Sequence, residues 1–371
     1  MLLRDLLRIL DDIAPTRDAE TWDNVGLLVG DPAQTVTRAL LTIDYTREVA
    51  AEAQREACDL VIAYHPPLFQ AIKRLTAPDP IFDAIRRGVA LYSPHTALDV
   101  ADGGTNDLLA DLLGLEDRQP LRFCQPKARE HKFTTFVPPD ALTRVADALF
   151  AAGAGGIGRY TRCSFRTPGT GTFMGDQTTN PAIGTPGVYE ETPEIKLEML
   201  CPIDRVPQVL AALRKSHPYE EPAFDLVHLA APVEKLGQGR IGKLATPTPL
   251  PELLDRIKKG LAINHLLVSP ASLPTSPSPH PPTISKAAVL AGAGREHLKD
   301  AIAQNAQLYL TGEIPHHDAL AAAKAGVTVV ATLHSNSERA TLKRLRDRLT
   351  EKAPALTCTL STLDRDPFQI L

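Results

Sequence analysis

Cysteine is scarce in this chain, and none of it is arranged in pairs. The five cysteines, at positions 58, 124, 163, 201 and 358, form no Cys-x-x-Cys motif and are odd in number. This pattern argues against a disulfide framework and against a zinc knuckle built on thiolates. It favours a reducing compartment.

Long apolar runs and a strong excess of one charge are also absent. No run approaches the roughly 18 to 20 apolar residues that span a bilayer. The 40 basic and 44 acidic residues leave a formal net charge of −4, so there is no global attraction to nucleic acid or to an anionic membrane. Asp5, Asp11 and Asp12 are unlike a targeting peptide. We expect a cytoplasmic protein without membrane or nucleic-acid partners, with the mitochondrial matrix as the alternative compartment.

Apolar residues are ample although only 5% of the chain is aromatic, because 43% of the 371 residues are hydrophobic. Short Val/Ile/Leu runs alternate with helical patterns from residue 38 to 113, and the same alternation returns from 286 to the C-terminus. Such runs are typical of strands buried on both faces. The length exceeds one average domain, and the pattern predicts an α/β fold with layered sheets.

Residues 131–229 show a different order, in which two strand–helix–strand units follow each other. This order predicts a ferredoxin-like α+β domain inserted into the α/β domain. Gly, Thr and Pro dominate 167–193, which predicts a long irregular excursion, and six prolines in 270–282 predict an exposed loop. The predicted strands and helices of the insertion are 132–137, 140–152, 159–166, 195–200, 204–215 and 223–229. The predicted segments are 1–128 and 233–371 for the α/β domain, 129–232 for the insertion and 270–284 for the loop.

Two histidines come directly after predicted buried strands. His65 follows the strand at 60–63, and His334 follows the strand at 327–331. Ligands of open α/β sheets bind at the carboxyl ends of the strands, so both imidazoles lie where chemistry is usually done. Pro66 and Pro67 force the chain out of the sheet in an extended conformation.

Carboxylates accompany two of the histidines at a spacing of four residues. Glu338 follows His334, and Asp99 follows His95, so each pair shares one face if its segment is helical. Imidazole with carboxylate suits Zn, Fe, Mn or Ni. Together with His65, these residues would suffice for one metal site or for two metals that share a carboxylate. The alternative is that such histidines are hydrogen-bonded structural residues and that a His/Glu pair is a solvated helix face.

Five sequence blocks resemble the signatures of the Nif three-like family (NGG-one interacting factor three). Two further stretches, GTGTFMGDQTTNPAIG and SHPYEEPAFDL, resemble the inserted domain of its long form, which is similar to PII and CutA proteins. The resemblance covers nearly the whole chain apart from the proline-rich loop. The five blocks are WDNVGLLVGD (22–31), YHPPLF (64–69), YSPHTALDVADGGTND (92–107), LTGEIPHHDAL (310–320) and HSNSER (334–339).

The resemblance implies a discontinuous α/β domain, a dinuclear metal centre and a toroidal homohexamer. It implies four metal ligands, with His95 completing or lining the site: His65, Asp99, His334 and Glu338. Many bacterial members carry two adjacent histidines where this chain has Tyr64 and His65, so one metal loses an imidazole, and the YHPP form is similar to the eukaryotic branch. His316 or His317 could replace that donor, although the N-terminus of a surface helix explains both equally well.

The function implied is that of a metal-dependent hydrolase acting on a small molecule. His95 or Asp44 would move the proton, and Asp44 could instead orient a ligand histidine. The family has carried the name GTP cyclohydrolase one type two, but no GxxxxGK[ST] loop is found here. The competing hypothesis is a regulatory metal or metabolite sensor with a transcription-related protein partner and no turnover.

Overall fold

The chain divides into two units. The structure, a computed structural model, describes residues 1–124, 130–229, 236–271, 282–368 and 370. The first unit is formed by Met1–Cys124 and Lys235–Leu371, and the second by Gln125–Glu234. None of the helices in the described part of the chain combines the length and the apolar composition of a bilayer-spanning segment.

The first unit takes its elements from two segments of the chain, separated by the second unit. The first segment contains α1 (Leu3–Ile13), β1 (Gly26–Val29), β2 (Arg38–Thr42), α2 (Arg47–Arg55), β3 (Leu60–Ala63), α3 (Pro80–Arg87), β4 (Ala90–Ser93), α4 (His95–Val100), α5 (Thr105–Leu113), β5 (Leu115–Gln119) and β6 (Arg122–Phe123). The second unit contains β7 (Glu130–Val137), α6 (Leu142–Ala151), β8 (Phe165–Phe173), β9 (Glu190–Pro202), α7 (Val206–Ser216) and β10 (Phe224–His228). The last segment contains β11 (Gly237–Gln238), β12 (Arg240–Pro249), α8 (Leu250–Leu261), β13 (Leu267–Ser269), β14 (Thr283–Ala293), α9 (Leu298–Ala303), β15 (Leu308–Glu313), α10 (His316–Lys324), β16 (Thr328–Ala331), α11 (Asn336–Lys352) and β17 (Thr357–Leu360).

Two sheets form the framework of the first unit. One has the order β1-β4-β3-β2-β17, and the other has the order β13-β16-β15-β14-β12-β5. Strands β4, β3, β2 and β17 are parallel to one another, as are β14, β15 and β16. Every residue of β3, β4 and β16 is buried, as continuous apolar strands in a covered parallel sheet require. The predicted mixed α/β fold is confirmed.

Helix α11 joins the two sheets. Its buried residues Leu342, Leu345 and Leu349 belong to the core formed with α1 and the five-stranded sheet. The same helix contacts β14 and β15 of the six-stranded sheet. The first turn of α11 is therefore held where the ends of strands from both sheets come together, and this turn contains Glu338.

The second unit has the element order β-α-β-β-α-β, which is that of a ferredoxin-like unit. Its sheet is antiparallel throughout, with the order β10-β7-β9-β8. Helices α6 and α7 pack together against the sheet through Val145, Leu149, Val209 and Leu213.

Two predicted segments of this unit are wrong in extent. The strand predicted at 159–166 begins only at Phe165. The irregular excursion predicted for 167–193 includes most of β8 and the first residues of β9, and its middle part, 174–189, is irregular. Glycine and proline usually break a strand, but β8 is an edge strand, which tolerates Pro168, and its threonines favour extended backbone. The loop predicted for 270–284 lies mostly outside the described residues, and its last two residues belong to β14.

A buried ion pair ties the two segments of the first unit together. Arg240 of β12 donates from Nε to Oδ1 of Asp107 at 2.8 Å and from Nη2 to Oδ2 at 3.0 Å. The same guanidinium also donates to the carbonyl oxygens of Gly237, Gly239 and Val100. Both side chains are buried, so the pair is stabilising only because each donor and acceptor has a partner.

Replacing Arg240 with alanine is expected to lower the free energy of unfolding of the first unit by about 3–5 kcal/mol, because the buried Asp107 carboxylate loses its buried charged partner and retains the Gly103 N–H and the more exposed Arg118. Urea unfolding followed by circular dichroism measures the change. Arg8→Ala is the matched control, since its 2.9 Å ion pair with Asp5 is exposed and is worth less than about 1 kcal/mol. If both variants lost the same free energy of unfolding, the stabilising role given to the Arg240–Asp107 ion pair would be wrong.

Candidate metal centre

Three side chains from distant parts of the sequence meet in the first unit. One ligand atom from each of His65, His334 and Glu338 lies within 4.8 Å of the other two. Within the described residues, this is the one group of three or more His, Cys, Asp or Glu side chains arranged closely enough to share an ion. Two imidazoles and a carboxylate form a donor set that divalent transition metals accept.

The ends of the strands determine where these side chains lie. His65 follows β3 of one sheet after one intervening residue, and His334 follows β16 of the other sheet. Leu333, directly before His334, has φ 73°, and His95, directly after Pro94, has φ 26°. Left-handed backbone at non-glycine residues is strained and concentrates at functional sites. These two sharp turns lie at the strand ends that carry His95 and His334.

A carboxylate orients each of the three histidines in this region. Nδ1 of His65 lies 2.9 Å from Oδ1 of Asp44, and Nδ1 of His334 lies 3.0 Å from Oε1 of Glu313. Nδ1 of His95 lies 2.8 Å from Oδ1 of Asp23. Histidines that bind metals commonly donate their second nitrogen to a carboxylate, which fixes the ring and leaves Nε2 for the metal.

The Nε2 atom of His65 and the Glu338 carboxylate face each other without a hydrogen bond. Nε2 lies 3.2 Å from Oε2 of Glu338, which is ion-pair distance, but the geometry is not that of a hydrogen bond, and both atoms are buried without a hydrogen-bond partner. On the other side, Nε2 of His334 lies 3.4 Å from Oε1 of the same carboxylate. Buried polar atoms of this kind need an explanation, and an ion between them supplies one.

The electrostatic balance of the cluster depends on its acidic neighbours. Burial opposes the charged form of His65, but the side chains of Asp44 and Glu338 raise its pKa to about 10. Burial also opposes the charge of Asp44, whose pKa is nevertheless lowered by its hydrogen bond to His65. A metal ion would compete with the His65 proton, so binding would release protons.

Asp99, the fourth predicted ligand, has a different partner. Its Oδ1 accepts a hydrogen bond from the hydroxyl of Tyr64, which also lies 3.1 Å from Oγ1 of Thr105. Burial and the charge of Glu338 raise the pKa of Asp99 to about 6. Burial and the charges of Asp99 and Glu338 raise the pKa of Tyr64 well above its ordinary value, so the phenol keeps its proton.

His95 lies beside the cluster under an aromatic edge. Its ring centroid is 5.4 Å from that of His65 and 6.0 Å from that of Trp22. Trp22 in turn lies 6.1 Å from Phe69, and both side chains are at least half exposed. These two aromatic side chains form an apolar edge next to the candidate centre.

Several residues that shape the site were not found by sequence reasoning. Asp23 and Glu313 orient His95 and His334 from 72 and 21 residues away, distances at which no local spacing is visible. Both lie in the sequence blocks that carry the family resemblance, and this was the one signal that could have found them.

The structure also places the further residues proposed from the sequence. His316 and His317 are exposed at the start of α10, outside the cluster. Asp44 was predicted as an orienting or proton-moving residue, and the structure places it on His65.

The fold and the site define a mixed α/β protein whose candidate metal centre draws on both segments of the first unit. Residues 1–367 match the family model described as Duf34/NIF3 (NGG1p interacting factor 3), and the chain belongs to this family. The predicted resemblance is thereby confirmed.

Relatives along the whole length support this assignment. A Halalkalibacterium halodurans protein named GTP cyclohydrolase 1 type 2 homolog is 34% identical over 375 residues, covering 99% of this chain and 98% of the relative. A Mycobacterium tuberculosis protein of the same name is 33% identical over 377 residues, with coverage of 99% and 97%. The crystal structure of a Bacillus cereus protein related to NIF3 matches with a TM-score of 0.73 at 30% identity, covering 100% of this chain and 99% of that one.

The absence of a side chain at Gly292 makes room for the side chains of Glu338 and His334. It has φ +67°, and a Cβ atom there would lie 2.9 Å from Oε1 of Glu338 and 3.3 Å from Nε2 of His334. Gly292→Ala is expected to weaken Zn²⁺ binding about 10-fold or more, the size of effect seen when groups that orient ligands are lost. Isothermal titration calorimetry with Zn²⁺ measures the change.

Gly326→Ala is the matched control for Gly292→Ala. Gly326 has φ +79°, and a Cβ atom there would meet no other atom within 4 Å, so its variant has the backbone strain without the clash. We expect it to lose about 1–2 kcal/mol of stability and no metal affinity. If both variants bound Zn²⁺ as the unaltered chain does, the donors would not require this close approach.

Proposed function

We propose that this protein binds a divalent metal ion through His65, His334 and Glu338 and uses it to hydrolyse a small molecule. The observation that carries the proposal is the meeting of three metal-type donors, two of which present buried atoms without hydrogen-bond partners. The orientation of both histidines by carboxylates supports it further, because it leaves Nε2 of each ring toward Glu338.

The donor set fits a catalytic metal better than a structural one. Structural zinc sites are usually closed by four protein ligands and are rich in thiolates, whereas catalytic sites use about three protein donors and keep a position open. When bound, a divalent ion lowers the pKa of a coordinated water and polarises an electrophile. The family resemblance adds Asp99 as a ligand, His95 as a completing donor and a second ion, which remain expectations.

The protein's own side chains would manage the protons of a hydrolysis. Asp44 keeps a lowered pKa and is partly exposed, so it is a carboxylate at neutral pH that can hold His65 and accept a proton. His95, oriented by Asp23, is the second candidate. In the reaction, water adds to carbon or phosphorus, the bond to the leaving group breaks, and the proton lost by water returns to that group.

The substrate class proposed is a phosphorylated or nucleotide-like small molecule. The names of the relatives, GTP cyclohydrolase 1 type 2 homolog, support this class without establishing it for this chain. A homohexamer, a cytoplasmic location and a PII/CutA-like character of the second unit belong to the same proposal. The β-α-β-β-α-β order of that unit supports the last of these.

Metal analysis tests the centre. After dialysis against Zn²⁺, Mn²⁺, Fe²⁺ or Ni²⁺, the unaltered chain is expected to retain stoichiometric metal, while His334→Ala and Glu338→Gln lose most of it because each removes one of three donors. Inductively coupled plasma mass spectrometry gives the metal content. His297→Ala is the matched control, since this histidine lies beside Asp300 and outside the cluster. Full metal content in the two site variants would refute the assignment.

Turnover tests the reaction separately. Phosphomonoesters, phosphodiesters and GTP are incubated with the metal-loaded chain, and release of phosphate, nucleoside or formate is followed. Hydrolysis that disappears in His334→Ala supports the enzyme. Metal that is bound at full stoichiometry without turnover of any member of the panel would favour the sensor hypothesis instead.

A further inference from the structure

Tyr64 lies beside His65 and His95. It follows β3 directly, and its side chain is fully buried. Its ring centroid lies 5.4 Å from that of His65 and 5.9 Å from that of His95, while the two imidazole centroids are 5.4 Å apart. The three rings form a nearly equilateral triangle, so the phenol occupies the space beside the two imidazoles.

The hydroxyl of Tyr64 engages the Asp99 carboxylate in a hydrogen bond. It donates to Oδ1 of Asp99, and Thr105 lies within hydrogen-bond distance of the same hydroxyl. The side chain of Asn106 donates to the backbone oxygen of Asp99 at 3.0 Å and fixes the position of this residue. Asp99 is correspondingly absent from the group of donors within 4.8 Å of one another.

A neutral phenol and an imidazole act oppositely on such a carboxylate. A neutral imidazole nitrogen can donate a lone pair to a metal, whereas the hydroxyl of a neutral phenol donates a hydrogen bond to the carboxylate. A hydrogen bond to a charged acceptor is about twice as strong as a neutral one. Asp99 is also buried, so losing this donor removes a hydrogen bond from a carboxylate that water cannot reach to replace it.

Building on the proposed metal centre, we propose that this chain holds one metal ion and not two. His65, His334 and Glu338 hold the ion, and Tyr64 keeps Asp99 as a hydrogen-bond acceptor. Tyr64 is therefore a positioning residue that sets the metal stoichiometry, because it donates a hydroxyl to Asp99 where an imidazole would offer a lone pair to a metal.

Two variants separate this assignment from a dinuclear centre. Tyr64→His removes the hydroxyl from Asp99 and adds an imidazole beside it. Asp99→Asn keeps an oxygen that accepts from Tyr64, so it preserves the fold while removing the charge that a metal would bind. Tyr309→Phe is the control, because Tyr309 is also buried and donates its hydroxyl to a backbone oxygen, that of Gly294 at 2.9 Å.

The full chain and these variants are loaded with Mn²⁺, and bound metal per chain is measured together with the electron paramagnetic resonance spectrum. We expect one ion per chain with the hyperfine pattern of an isolated Mn²⁺ in the unaltered chain, Asp99→Asn and Tyr309→Phe. Tyr64→His is expected to bind two ions with the signal of a spin-coupled pair.

The outcomes distinguish the two proposals. Two ions in the unaltered chain, or loss of the single ion in Asp99→Asn, would overturn the role given to Tyr64 while leaving the metal centre intact. A folded Tyr64→His that still binds one ion would overturn it as well. No bound metal in the unaltered chain would overturn the centre itself, and with it this inference. If Tyr64→His does not fold, Asp99→Asn decides the question.

Discussion

The buried carboxylate of Glu338 is the constraint on which the site depends. Its side chain is almost inaccessible to solvent, and a charge in such a place requires compensation. His65 and His334 supply it from two different sheets, and Asp44 and Glu313 orient their rings. The packing of α11 against both sheets places Glu338 between the imidazoles. The geometry of the centre therefore depends on how the two sheets pack on this helix.

Glycine and strained backbone serve the same requirement. Gly292 approaches Glu338 and His334 more closely than a residue with a side chain could, and its N–H donates to Ser337 in the first turn of α11. Leu333 and His95 adopt left-handed conformations where the chain leaves its strands. These strained conformations are held in place by the buried strands next to them, as expected for a site built on rigid elements.

Much of the first unit could be predicted because its strands are short apolar runs and its helices are periodic. The strand predicted at 60–63 agrees with β3 residue for residue, and the strand predicted at 327–331 agrees with β16 apart from its first residue. The β8–β9 hairpin could not be predicted in the same way, because its glycines and prolines are typical of a loop. Pairing with β9 makes β8 a strand, and this partner is not visible in the local sequence. Strands such as β1, β12 and β17 also depend on neighbours distant in sequence.

Local sequence determined which residues carry the chemistry: histidines after buried strands, with Glu338 one helical turn beyond His334. The same spacing of four residues indicated Asp99 after His95, and the family resemblance implied that Asp99 is a ligand. Only the tertiary structure decided how these residues combine. It joined His65 to Glu338 across more than half of the chain, selected Asp23, Asp44 and Glu313 as the orienting carboxylates, and turned Asp99 toward Tyr64. The physical reason is that burial and hydrogen bonding are decided between surfaces, and a sequence specifies each surface without showing which other one will face it.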